Sequence, residues 1–177
     1  QGIRVNNGKT LQASADIDTI VFDLNGTLTQ GEIVVDSFRI TDKKFLNHIA
    51  SLESLSDHPV AKIIASYIDN QGIVSNESLE ITSVDKSHHS GIQAVINGET
   101  FMIGNKDMLL ANGITSITEP YDNPEQGSVY IVRETQVIGQ ISLTDPLRED
   151  AIATVEQLKR LGKKVHICTG ADQASAE

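Results

Sequence analysis

The chain has 177 residues, 39% of them apolar and 21% charged, enough to bury one medium core or two small ones. Asp and Glu number 24 against 14 Lys and Arg, a formal charge of −10, which argues against a broad nucleic-acid surface and leaves any anionic ligand to a local cation, a divalent metal or backbone N–H groups. The single cysteine, Cys168, cannot form an internal disulfide and fits a reducing compartment, and no run approaches the ~18 apolar residues that span a bilayer.

Residues 18–23 are a short β-branched run ending in an acid, and Leu24, Asn25, Gly26 and Thr27 follow as a polar turn. This pattern predicts a buried strand whose carboxyl end opens into a loop, the place where open α/β sheets hold ligands. Residues 33–40 and 121–126 read as hinge and loop. Phe45, Leu46, Ile49 and Leu52 mark one amphipathic helix. Val60, Ile63, Ile64, Tyr67 and Ile68 mark a second, with Pro59 suited to its first turn. Short strands are expected over 79–84, 91–96, 100–103 and 128–132. Asn97-Gly98 is a strong signal for a hairpin between two of them. Meandering strands with two helices predict a separate α+β module.

The chain closes with a strand over 137–144, a break at Asp145-Pro146, a helix over 147–161 capped by Gly162, and a strand over 164–168. Strand, helix, strand at this spacing predicts a right-handed parallel crossover, with Cys168 in the strand core.

Three sets of residues carry chemistry. Asp23 at a strand end can attack phosphorus as a nucleophile. Gly26 lets backbone approach a phosphate and Thr27 supplies a hydroxyl donor. Asn25 can present its backbone carbonyl or side-chain oxygen to a Mg²⁺ also held by Asp23. The competing reading is an Asx turn at the strand end. Further on, the His58 imidazole can stack on a purine and the Glu53 carboxylate can accept from an exocyclic amine, although His58-Pro59 also reads as an ordinary helix start. The adjacent His88 and His89 read as a solvated turn, since no Cys or carboxylate stands at ligand spacing.

Strand then Asp-x-x-Gly-Thr-Leu-Thr, at 23–29, resembles the first motif of the haloacid-dehalogenase-like superfamily. Continued through Gln30-Gly31, it resembles more narrowly the P-type ATPase motif DKTGTLTxG. Glu53 through Ala61 resembles the "E…SEHPLA" segment of the heavy-metal (type IB) subgroup. The resemblance implies adenine contacts for Glu53 and His58. Gly91, Asn97-Gly98 and residues 102–109 resemble the rest of the same nucleotide domain, with His89 at the first position of a Gly-x-Gly and Gly91 at the second. Asp145-Pro146-Leu147-Arg148 resembles the family's hinge motif, which implies that Asp145 and Arg148 lie near the nucleotide and its phosphates. Residues 165–170 resemble the strand into the TGD motif, which implies that Thr169 and Gly170 help hold the phosphoryl group.

Leu24 stands where the motif has Lys, Asn25 where it has Thr, and Ala171 where TGD has Asp. The chain stops at Glu177, before the family's GDGxND segment, so weak or absent turnover in isolation is expected.

The resulting expectation is an α/β fold. A Rossmann-like, haloacid-dehalogenase-like, incomplete parallel core over 1–36 and 140–177 would carry phosphorylation. An inserted α+β nucleotide-binding domain would occupy 37–139. The resemblance implies ATP and Mg²⁺ as cofactors, transmembrane and actuator domains of a parent chain as partners, no nucleic acid, and a place on the cytoplasmic face of a membrane. The parent would couple ATP hydrolysis, through an aspartyl-phosphate at Asp23, to transport of a metal such as copper or zinc. The rival readings are a non-catalytic nucleotide-binding or regulatory paralogue and a free-standing phosphatase, the latter disfavoured by Asn25 where such enzymes carry a second Asp.

Overall fold

A computed structural model describes residues 7–72, 78–86, 90–118, 120–121 and 127–169, with only the backbone described for residues 10 and 11. The expectations for His88 and His89, for Gly170 and Ala171, and for most of the 121–126 loop lie outside these residues. The chain divides into two units, Gln1–Glu32 with Asp145–Glu177, and Ile33–Thr144.

In the first unit a helix not foreseen from sequence, α1 (Gly8–Ala15), precedes β1 (Thr19–Asp23). β1 pairs in parallel with β8 (Lys164–Cys168), in a register that sets Asp23 beside Cys168. Between β8 and the motif loop in sequence lies α5 (Ala151–Arg160), which packs on β8. Its last turn carries Lys159 and Arg160, which suit the negative end of the helix dipole, and Gly162 follows at φ 76°.

Two expectations for this unit fail. Val21 is 63% exposed, and Ile167 and Cys168 are exposed rather than buried. Apolar sequence predicts burial only where something covers both faces of a strand, and among the described residues this sheet has two strands and one packed helix. The helix expected from residue 147 starts at Ala151. Residues 146–148 are held in extended pairing instead: Thr29 and Leu147 form an antiparallel bridge, Gln30 N–H donates to the Pro146 carbonyl (2.8 Å), and Arg148 N–H donates to the Leu28 carbonyl (2.8 Å).

The second unit is a six-stranded antiparallel sheet in the order β2-β7-β6-β5-β4-β3. Its strands are β2 (Val34–Ile40), β3 (Ile81–Asp85), β4 (Gly91–Ile96), β5 (Glu99–Gly104), β6 (Val129–Arg133) and β7 (Gln136–Thr144). The expected hinge at 33–40 is therefore a strand. β7 does not form a parallel crossover with β8; it pairs antiparallel with β2 and β6. The β7 error has a plain cause: β-branched alternation announces a strand but not the partner that pairs with it.

Period-two alternation sends side chains of one strand to two cores. Ile92, Ala94, Ile96, Phe101, Ile103, Ile131, Ile138 and Ile141 face α2 (Leu46–Glu53) and α3 (Pro59–Asn70), which contribute Leu46, Ile49, Leu52, Ile64 and Ile68. Met102, Tyr130, Val132 and Val137 face the other way, onto Met108 and Leu109 of α4 (Lys106–Ala111) with Ile114 and Tyr121. The β4–β5 hairpin turns as expected, with Asn97 at φ 51° and Gly98 at φ 83°, the pair of positive values a type I′ turn requires. Among the described residues no helix is long and apolar enough to cross a membrane.

Candidate active-site loop and ligand cleft

The first site is the loop that follows β1. Asp23 is exposed at the strand end. Asn25 (φ −75°, ψ 120°) and Gly26 (φ 76°, ψ −2°) have the backbone angles of a type II turn, and the positive φ at its third position is why glycine stands there. Gly26 N–H donates to Thr29 Oγ1 (2.8 Å), and Thr29 N–H closes back on the Leu24 carbonyl (3.0 Å). A trans peptide points its N–H and C=O in opposite directions, so the Asn25 carbonyl faces away from Thr29. Among the described residues neither that carbonyl nor the Asp23 carboxylate has a hydrogen-bond partner. These are two hard oxygen donors available to a cation, which suits Mg²⁺, since that ion takes one or two protein oxygens and completes its shell with phosphate and water. No cluster of three His, Cys, Asp or Glu side chains able to hold a metal occurs among the described residues.

Asp145 and Arg148 brace this loop. Thr29 is 4% exposed, and its hydroxyl donates to Asp145 Oδ2 (2.6 Å). Asp145 Oδ1 accepts from Gly31 N–H (2.9 Å) and Glu32 N–H (3.2 Å). Arg148 Nε donates to the Thr27 carbonyl (3.0 Å), and a terminal guanidinium nitrogen donates to the Gly26 carbonyl (3.2 Å). Both side chains are thus engaged in shaping the loop that carries Asp23, Asn25 and Thr27. Thr27 is exposed on it. Thr169 lies one residue past Cys168, at the carboxyl end of the strand beside Asp23. Thr29 was not singled out from sequence; its signal was its place in the heptad, but only the fold shows its hydroxyl joining Gly26 to Asp145.

The second site is a cleft of about 800 Å³ in the second unit, lined among others by Glu53, His58, Lys86, Gly91, Gly104 and Asn105. The cleft brings together three of the residues expected to bind nucleotide, Glu53, His58 and Gly91, whereas Asp145 and Arg148 belong to the other unit. Glu53 ends α2, where it is 4% exposed, and burial pushes its carboxyl up to about 7. His58 caps α3: Val60 N–H donates to His58 Nδ1 (3.2 Å), with Pro59 in the first turn. Accepting at Nδ1 leaves the proton of the neutral ring on Nε2, and the exposed ring stands free to stack. The helix-start reading of His58 holds, and the cap sets its ring at the cleft.

Gly91 and Gly104 are register partners on β4 and β5. A Cβ on Gly91 would collide with the Ile103 carbonyl oxygen and Met108 Sδ, and one on Gly104 would sit 2.6 Å from the Ser90 carbonyl oxygen. Glycine at both positions lets α4 close against the strands that form this wall of the cleft. Lys86 and the role of Gly104 were not recognised from sequence, because neither stands out until the strands pair.

Residues 17–177 match the haloacid dehalogenase-like hydrolase family. A copper-transporting ATPase of Saccharomyces cerevisiae is 30% identical over 192 residues, covering 99% of this chain and 19% of the relative. A probable copper-importing P-type ATPase A of Enterococcus hirae is 30% identical over 181 residues, covering 99% and 24%. The chain thus spans about a fifth to a quarter of the length of these curated relatives. Among solved structures, the catalytic domain of the CPx-ATPase CopB-B, studied for its conformational changes upon nucleotide binding, superposes with a TM-score of 0.70 at 25% identity, over 96% of this chain and 61% of that one. A zinc-transporting PIB-type ATPase in the E2·Pi state superposes with a TM-score of 0.65 at 29% identity, over 90% and 27%.

Proposed function

The chain belongs to the haloacid dehalogenase-like hydrolase family and is homologous to the cytoplasmic catalytic domains of heavy-metal P-type ATPases, and from there we propose that it binds ATP and carries the phosphoryl-acceptor aspartate of such a transporter. What supports the reading most is the cleft, which gathers Glu53, His58 and Gly91 from three separate elements. A purine edge-on to Glu53 meets a carboxyl that both donates and accepts when protonated, the pattern of adenine N1 and N6–H₂. The His58 ring offers a stacking face.

In the phosphorylation step Asp23 Oδ attacks the γ-phosphorus of ATP. The new O–P bond forms as the bond to the β-phosphate oxygen breaks, and ADP leaves. Bound Mg²⁺ would neutralise charge on the phosphates. Asp23 and the Asn25 carbonyl are the residues to hold it. Thr27 offers a hydroxyl to the transferring group. Thr29, Asp145 and Arg148 hold the loop so that Asp23 need not be ordered at the moment of reaction. Water then hydrolyses the aspartyl-phosphate, and in the parent protein that cycle would drive metal transport. Leu24 leaves the position after the nucleophile without the positive charge of the motif lysine, which predicts slow phosphorylation.

The test is acyl-phosphate formation in the longer parent protein. With γ-labelled ATP and Mg²⁺, label should appear as a hydroxylamine-labile adduct and disappear in Asp23→Asn. Intact ATP binding with no label on the wild type would refute the phosphoacceptor reading.

A further inference from the structure

The cleft has charged groups that adenine recognition does not use. Its lining carries Glu53, Asp57, His58 and Lys86, and among the described residues Lys86 is the one Lys or Arg there. Lys86 is exposed just past the end of β3 and makes no ion pair among the described residues. The neighbouring polar side chains, Ser56, Ser90 and Asn105, are uncharged. Asn105 Oδ1 caps α4 by accepting from Met108 N–H (3.1 Å), and Ser56 Oγ accepts from His58 N–H (3.2 Å). Asp57 would repel an anion. In a protein of net charge −10, a phosphate chain entering this cleft therefore has one cationic side chain to meet.

We propose that Lys86 is the phosphate contact of the cleft: its ammonium, on the strand side, binds the phosphate chain of a nucleotide whose base lies toward Glu53 and His58. This rests on the nucleotide reading of the cleft and extends it to the charged end of the ligand. The affinity then rises from nucleoside to triphosphate because of Lys86, and it falls with salt as an exposed ion pair does. A single exposed pair of unit charges supports about a fivefold effect.

The experiment is calorimetric titration of the 177-residue chain and its variants with adenosine, AMP and ATP, without Mg²⁺, at low and high ionic strength. The wild type should bind ATP at least about fivefold tighter than adenosine at low salt, and the gap should shrink at high salt. Lys86→Gln should abolish the gap with adenosine affinity unchanged, and Lys86→Arg should keep it. A full gap in Lys86→Gln, or an equal loss for adenosine and ATP, would overturn the assignment while leaving the cleft a nucleotide site. A wild type that binds neither adenosine nor ATP would overturn the nucleotide reading itself, and Lys86 with it.

Discussion

Glu53 and His58 each do two things, and substitutions can separate them. Burial raises the Glu53 carboxyl from its ordinary 4.5 to about 7. Between those values the folded protein holds a proton that the unfolded chain releases, so this group's contribution to stability falls as pH rises through the window and is constant above it. The span corresponds to roughly 3 kcal/mol. Glu53→Gln should therefore stabilise the protein near pH 8 by up to about 3 kcal/mol and flatten its pH dependence between 4.5 and 7, read by chemical denaturation. His58→Ala removes both the α3 cap and the ring. It should cost about 0.5–1 kcal/mol of stability and weaken ATP binding. His58→Asn should restore the cap but not the affinity, and normal ATP affinity in His58→Asn would mean that the ring is only a cap.

At the scale of elements, the motif loop and the Gly91/Gly104 wall are both held by close internal geometry. Asp145→Asn replaces a carboxylate that accepts from two backbone amides and one hydroxyl. Charge-assisted bonds of this kind contribute about 1.5–3 kcal/mol, so hydrogen exchange at the amides of Gly31 and Glu32 should accelerate selectively. Unchanged exchange there would argue against the brace. Gly91→Ala places a methyl against Ile103 backbone and Met108, and a cost of about 1–3 kcal/mol is expected with displacement of α4. The motif loop was legible because glycine and small polar residues cluster where a turn must form. Its brace was not, because Thr29 and Asp145 are 116 positions apart and neither announces the other. The start of α5 was misplaced for the same reason: residues 146–148 have partners on the 28–30 segment that outcompete a first helical turn.

At the scale of the molecule, the unit Ile33–Thr144 contains two cores of its own, and its two ends are register partners, Val34 opposite Thr144. Excised between those residues, it should unfold in one cooperative transition and bind ATP within about threefold of the whole chain, since the cleft lining lies inside it. Loss of cooperative unfolding or of binding would show that the other unit contributes to its fold. The sequence by itself determined the α/β class, the helices α2 and α3, the Asn97-Gly98 turn and the residue types of both sites, because periodicity, turn chemistry and local motifs act over a few residues. Only the tertiary structure decided that β7 joins the antiparallel sheet, that Asp145 and Arg148 grip the Asp23 loop, and that Lys86 reaches the cleft of Glu53 and His58. Each of those depends on which distant segment wins a strand edge or a hydrogen-bond acceptor, and that competition is settled by packing rather than by local propensity.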